Sequence, residues 1–236
     1  LLGFPVEINL TFLLLLGVVF IWLGGVAGLV VVAIAFGSVL LHELGHAVVA
    51  RQLGVNVSGI ELHFFGGAAK MIEMPRSANH EIAIAAAGPA VSFVLAGLGL
   101  GLGALSGSWM VSIVGWINLT IALFNLIPAL PMDGGRILRA LLTRWMDFVR
   151  ATDVSVMVAR VVAVGFVVVG LAAGMFQLAL LAPFLWIMGT AEQRLARNLA
   201  HRYAYNGDGY VTRHEPRAER RYVIRQRNGR LVIELL

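Results

Sequence analysis

The positive charges that separate the long apolar runs of this chain fall in alternate connections, and most of the rest lie in the tail. Those runs cover roughly residues 10–23, 26–53, 79–104, 109–127, 155–174 and 176–194. About 20 apolar residues cross a bilayer as a helix, because hydrocarbon tolerates only a backbone that satisfies its own polar groups. The connections after the first, third and fifth runs hold no Lys or Arg. The second connection carries Arg51, Lys70 and Arg76, and the fourth carries Arg136, Arg139, Arg144 and Arg150. The positive-inside rule then places both termini and the charged connections in the cytosol. The expected fold is an all-α polytopic membrane protein of about six transmembrane helices, seated in the lipid bilayer of a cell membrane.

Composition agrees. Charged residues make up 13% of the chain and hydrophobic residues 59%, whereas a soluble domain carries about 25% charged residues. The pI of 10.4 follows from the cytosolic charge bias, so no nucleic-acid partner is expected. The expected division is a membrane core over residues 1–195 and a basic cytosolic tail over 196–236. Within the tail, Asn228-Gly229 lies between two alternating segments, a hairpin signal. Anionic lipid head groups are a further expected contact of the tail.

The second run contains Leu41-His42-Glu43-Leu44-Gly45-His46. On a helix, His42 and His46 project from one face and can share one metal ion. Glu43 lies near the same face, within reach of a water at that ion. Two neutral imidazoles and one further ligand leave zinc an open position. The chain has no cysteine, so thiolate sites are excluded. Ionisable groups in lipid cost about 2.5–3.5 kcal/mol each on insertion scales, which points to a functional cavity here.

Two stretches interrupt the helical pattern. Residues 55–65 alternate like a strand, Gly66-Gly67 break the alternation, and residues 68–74 can return as a second strand. A small β-hairpin between the second and third helices and an interfacial loop are both open readings. A hairpin there offers an edge for strand addition by an extended peptide. Further on, Asn125-Leu126-Ile127-Pro128 leads into Pro131-Met132-Asp133-Gly134-Gly135, and prolines and glycines break the fourth helix. Asp133 reads as the third metal ligand or as the N-cap of a helix over residues 134–146. His42 lies about 13 Å along its helix from Arg51, and Asp133 lies three residues before Arg136, so both approach the cytosolic side. The alternating glycines from Gly97 to Gly103 read as close helix packing, and Glu81 as a carboxylate favouring its helix dipole.

These residues resemble the site-2 protease family of intramembrane metalloproteases. The likeness rests on His42-Glu43-Leu44-Gly45-His46, on Gly88-Pro89, and on Asn125–Pro128 leading into Asp133-Gly134, and covers about residues 1–195. It implies Zn2+ held by His42, His46 and Asp133, with Glu43 as the catalytic carboxylate. It also implies that Gly66, Gly67, Asn125 and Pro128 engage substrate. Family members often carry Asn where this chain has Ser92. The implied function is hydrolysis of peptide bonds within the membrane segments of single-pass proteins, in regulated intramembrane proteolysis. A metal transporter and a non-catalytic helix-binding scaffold are the competing readings. The first expects ligand sets along a pore, and the second has no need of Glu43.

Overall fold

The computed structural model describes residues 6–8, 17, 20–21, 25–63, 66–71, 77–206, 222–227 and 230–235. The first expected span, residues 10–23, lies largely outside them, as do residues 207–221.

Helix α1 (Gly25–Gln52) carries the histidine motif in its second half. It ends where Gly54 turns left-handed, at φ 75°, and Val55 N donates to Ala50 O at 2.9 Å. Three short strands are described around this helix: β1 (Val6–Ile8), β2 (Val57–His63) and β3 (Gly66–Met71). β1 runs parallel to β2, with Val6 opposite Ile60. β3 runs antiparallel to β2, with Gly66 opposite His63 and Gly67 opposite Leu62. The two glycines therefore open a strand instead of forming the break expected of them. Val57 packs on Leu44 and Ala47 of α1, which ties the start of β2 to the helix bearing the histidines.

Helix α2 (Ala78–Ser106) starts at Ser77, whose side chain accepts from His80 N, and stops at Gly107 with φ 67°. Helix α3 (Trp109–Asn125) returns against it. The contact is backbone to backbone: a Cβ at Gly115 would meet Leu100 N at 2.5 Å, and one at Gly99 would meet Gly115 Cα at 2.7 Å. Only glycine permits such an approach, the usual basis of helix pairing where no hydrophobic drive exists between helices.

The chain then breaks. Leu126–Met132 folds under a ten-residue helix, α4 (Asp133–Leu142), with the Leu130–Pro131 peptide cis. α4 starts one residue earlier than expected and stops at Leu142 rather than near Met146. Helix α5 (Phe148–Ala172) begins seven residues before the expected Ser155, because Asp147 accepts from Arg150 N and caps it. Helix α6 (Phe176–Asn206) continues through Pro183 and across the expected boundary at residue 195. The end of the tail forms β4 (Tyr222–Arg227) and β5 (Arg230–Leu235), paired antiparallel.

Among the described residues, three helices are long and apolar enough to cross a membrane: Gly28–Gln52, Ala78–Ser106 and Phe148–Ala172. α3 is apolar but shorter. The molecule is thus a helical, multi-pass membrane fold. Small residues hold its two halves together: Ala129 and Met132 of the broken segment pack with Ala159 and Ala163 of α5 and Ala182 and Leu185 of α6.

Candidate metal centre

Three separated segments build the site. α1 supplies His42, Glu43 and His46, all buried. Gly45 lets α1 reach α2, since a Cβ there would meet Val91 Cγ2 at 2.9 Å and Ala87 O at 3.0 Å. That approach lays both imidazoles over Gly88, where any side chain would collide with the two Nε2 atoms. The third segment is the start of α4. Gly134 and Gly135 sit against the backbone of Leu126, Ile127, Ala129 and Leu130 with no room for a Cβ. This close fold turns the Asp133 carboxylate inward. The N-cap position belongs to Met132, so capping does not engage Asp133.

The donor atoms form a near-equilateral triangle. His42 Nε2 lies 3.1 Å from Asp133 Oδ2, His46 Nε2 lies 3.2 Å from the same oxygen, and the two nitrogens are 3.2 Å apart. Zinc–nitrogen and zinc–oxygen bonds of about 2.0–2.1 Å set tetrahedral edges of roughly 3.3 Å. The triangle thus has the dimensions of a face that a tetrahedral zinc would span, and His42, His46 and Asp133 would be the residues to hold it.

The outer ring nitrogens hold both imidazoles, and that of His46 fixes its tautomer. His46 Nδ1 donates to Ile84 O at 2.7 Å. A carbonyl only accepts, so in the neutral ring Nε2 carries a lone pair aimed at the triangle. His42 Nδ1 meets Ser92 Oγ at 2.9 Å. The His46 lone pair, the second imidazole nitrogen and a carboxylate oxygen then face one another, a donor set that suits a cation. Burial alone would raise the pKa of Asp133, but His42, His46 and the nearby Arg136 charge outweigh it and hold the carboxyl below its ordinary range.

The remaining sequence candidates lie elsewhere. Asn125 donates to Ile121 O at 3.0 Å, so its amide is engaged by its own helix, and Pro128 is exposed. Gly66 and Gly67 lie in β3. The part played by Ser92, Ile84 and Gly88 around the rings is not evident from the sequence. The Gly88-Pro89 pair marks the region, but only the register of α1 on α2 assigns the contacts. Glu81 stands in the first turn of α2 as expected of a helix-end carboxylate, but its pairing with Arg139 is likewise not evident from the sequence. Both are buried, at 1% and 6% exposure, and Arg139 pairs with Glu81.

Known proteins match this arrangement. The model of peptidase family M50 matches residues 29–111 and 104–169. A zinc metalloprotease of Methanocaldococcus jannaschii is 35% identical over 205 residues, which is 82% of this chain and 59% of that protein. The putative zinc metalloprotease Rip3 of Mycobacterium tuberculosis is 39% identical over 64% of this chain and 40% of its own length. Among solved structures, the site-2 protease from Methanocaldococcus jannaschii superposes with a TM-score of 0.67 at 33% identity, covering 82% of this chain and 92% of that one. The chain spans about three-fifths or less of the curated relatives it matches. The ranges matched by the family model contain the histidine pair and the distant aspartate, and the chain belongs to peptidase family M50.

Proposed function

We propose that this chain is an intramembrane zinc metalloprotease that cuts peptide bonds in or beside the membrane segments of other proteins. The observation that carries the reading is the convergence of His42 Nε2, His46 Nε2 and Asp133 Oδ2 within 4.8 Å of one another, one residue along the helix from a buried Glu43. His42, His46 and Asp133 hold the ion. When bound, zinc supplies an activated water and polarises the scissile carbonyl. Glu43 takes the proton of that water during attack and returns it to the leaving amine. Ile84 O and Ser92 Oγ keep the rings oriented through each step.

A transmembrane substrate helix hides its carbonyls in its own hydrogen bonds, so it unwinds locally before attack. The β2–β3 pair, with Gly66 and Gly67 opposite His63 and Leu62, offers an edge for the unwound strand. Asn125, at the end of α3, and the exposed Pro128 of the broken segment are the further residues expected to engage substrate. The substrates are single-pass proteins with helix-breaking residues near the cytosolic face, cut in regulated intramembrane proteolysis. In this reading the chain crosses the bilayer six times, keeps both termini cytosolic, and divides into a core over 1–195 and a basic tail over 196–236. The charge alternation of the connections supports that topology.

The test is reconstitution in vesicles with a labelled single-pass helix. Cleavage by wild type and none by Glu43→Gln is expected. Metal uptake into vesicles with no cleavage of any helix would contradict the reading and favour a transporter.

A further inference from the structure

Arg139 is a buried cation placed among four helices. Its Nε donates to Glu81 Oε1 of α2 at 3.0 Å and its Nη2 reaches the same carboxylate oxygen. Nη1 donates to Glu192 Oε2 of α6 at 3.1 Å. Its guanidinium carbon lies 5.0 Å from the centre of the Phe148 ring, the first residue of α5. All three guanidinium nitrogens thus donate, and one face of the group lies over an aromatic ring. Burial disfavours its charge, but Glu81 and Glu192 outweigh that and raise its pKa.

The position of this cluster matters more than its energy. Arg139 sits on α4, a helix of ten residues whose first residue is Asp133. Glu81 sits on α2, one turn before Ile84, whose carbonyl orients His46, and two turns before Gly88, which floors both rings. The Arg139–Glu81 pair therefore joins the helix that carries the carboxylate donor to the helix that orients the imidazole donors. Gly134 and Gly135 seat the start of α4 against residues 126–130, and Arg139 ties its second turn to α2. Two donors converging on one carboxylate oxygen hold the guanidinium, and with it α4, at a set distance from α2. Glu192 is less buried, its side chain 28% exposed, and it comes from α6, which holds none of the three donors.

We infer that Arg139, through Glu81, is the positioning residue that sets where Asp133 meets the two histidines. The inference rests on the metal centre proposed above. Arg139 touches neither the ion nor substrate, so its effect passes through the geometry of Asp133.

The experiment is cobalt substitution of the full chain in detergent, with the visible d–d spectrum and the metal release rate to a chelator measured alongside helical content. Glu81→Gln keeps volume and an acceptor but removes the charge, and Arg139→Lys keeps the charge but removes the two-donor fork. Both are expected to shift the cobalt spectrum and to speed metal release about tenfold, with helical content unchanged. Glu192→Gln is expected to leave spectrum and release within twofold of wild type. Folded Glu81→Gln and Arg139→Lys with wild-type spectrum and release would overturn the inference, leaving the pair a packing element. Loss of helical content in Glu81→Gln would overturn it too, because the pair would then hold the bundle and not the ligand. A wild type that takes up no cobalt or zinc at all would instead defeat the metal centre itself.

Discussion

The first half of α2 and its second half both meet a neighbour through glycine, yet they make different use of the space. At Gly99 and Gly103 a side chain would strike the backbone of Gly115 and Ser112 on α3. There the absent Cβ lets two helices touch. At Gly88 a side chain would strike the donor nitrogens of His42 and His46. Here the absent Cβ keeps room for the donors and whatever they bind. Polar contacts around the first half are directed: Glu81 to Arg139, Ile84 O to His46, Ser92 to His42. The close contacts of the second half are mainly with backbone atoms of α3. One helix thus has a half that fixes chemistry and a half that fixes assembly, and substitutions should separate them.

The largest effect is expected from Gly88→Ala. The new methyl displaces the imidazoles, so zinc content falls to background while helical content stays near wild type. Elemental analysis with circular dichroism checks this. Retained zinc in Gly88→Ala would merge the two halves into one packing surface. Next comes Ser92→Ala, which leaves His42 Nδ1 without its partner. Removing such an outer contact costs roughly 10–100-fold in metal affinity, measurable by chelator competition. Ser92→Asn, carrying the amide found in many family members, should recover part of that loss.

Smaller and of another kind is the effect of Gly99→Ala or Gly103→Ala. Overpacking at a tight contact costs about 1–3 kcal/mol. It should appear as lower unfolding stability in detergent, with zinc bound normally by the folded fraction. Smallest is the effect of Gly97→Ala and Gly101→Ala, whose Cβ atoms would meet nothing within 4 Å. Alanine is the better helix former by about 0.8–1.0 kcal/mol in a helix interior, so neither should lose stability. If all four alanines cost alike, the glycine alternation would be a property of lipid exposure and not of the α2–α3 contact.

Much of this arrangement is legible in the amino-acid sequence. The apolar run over 26–53 predicts the helix that carries His42 and His46, and the helix runs Gly25–Gln52, because apolar length and a left-handed glycine mark its ends locally. Charge and spacing bring Asp133 toward the side where the histidines lie, and its neighbouring glycines explain how it arrives there. Four other features are hidden, each for a physical reason. The alternating glycines announce close packing, but only helix register tells Gly99 from Gly97. Ser92 meets His42 across 50 residues, which no local spacing encodes. Glu81 reads as a helix-dipole carboxylate and Arg139 as one charge of a connection, and only the fold buries them against each other. The early start of α5 turns on one capping aspartate, Asp147, in a stretch that reads as a charged connection.

The central claim is that three residues from two distant segments form one zinc site with Glu43 beside it. The most direct measurement is the zinc stoichiometry of purified wild type, Glu43→Gln and Asp133→Asn. One zinc per chain in wild type and in Glu43→Gln, with zinc lost or sharply weakened in Asp133→Asn, is the predicted result. Full zinc retention in Asp133→Asn, at wild-type affinity, would contradict the site described.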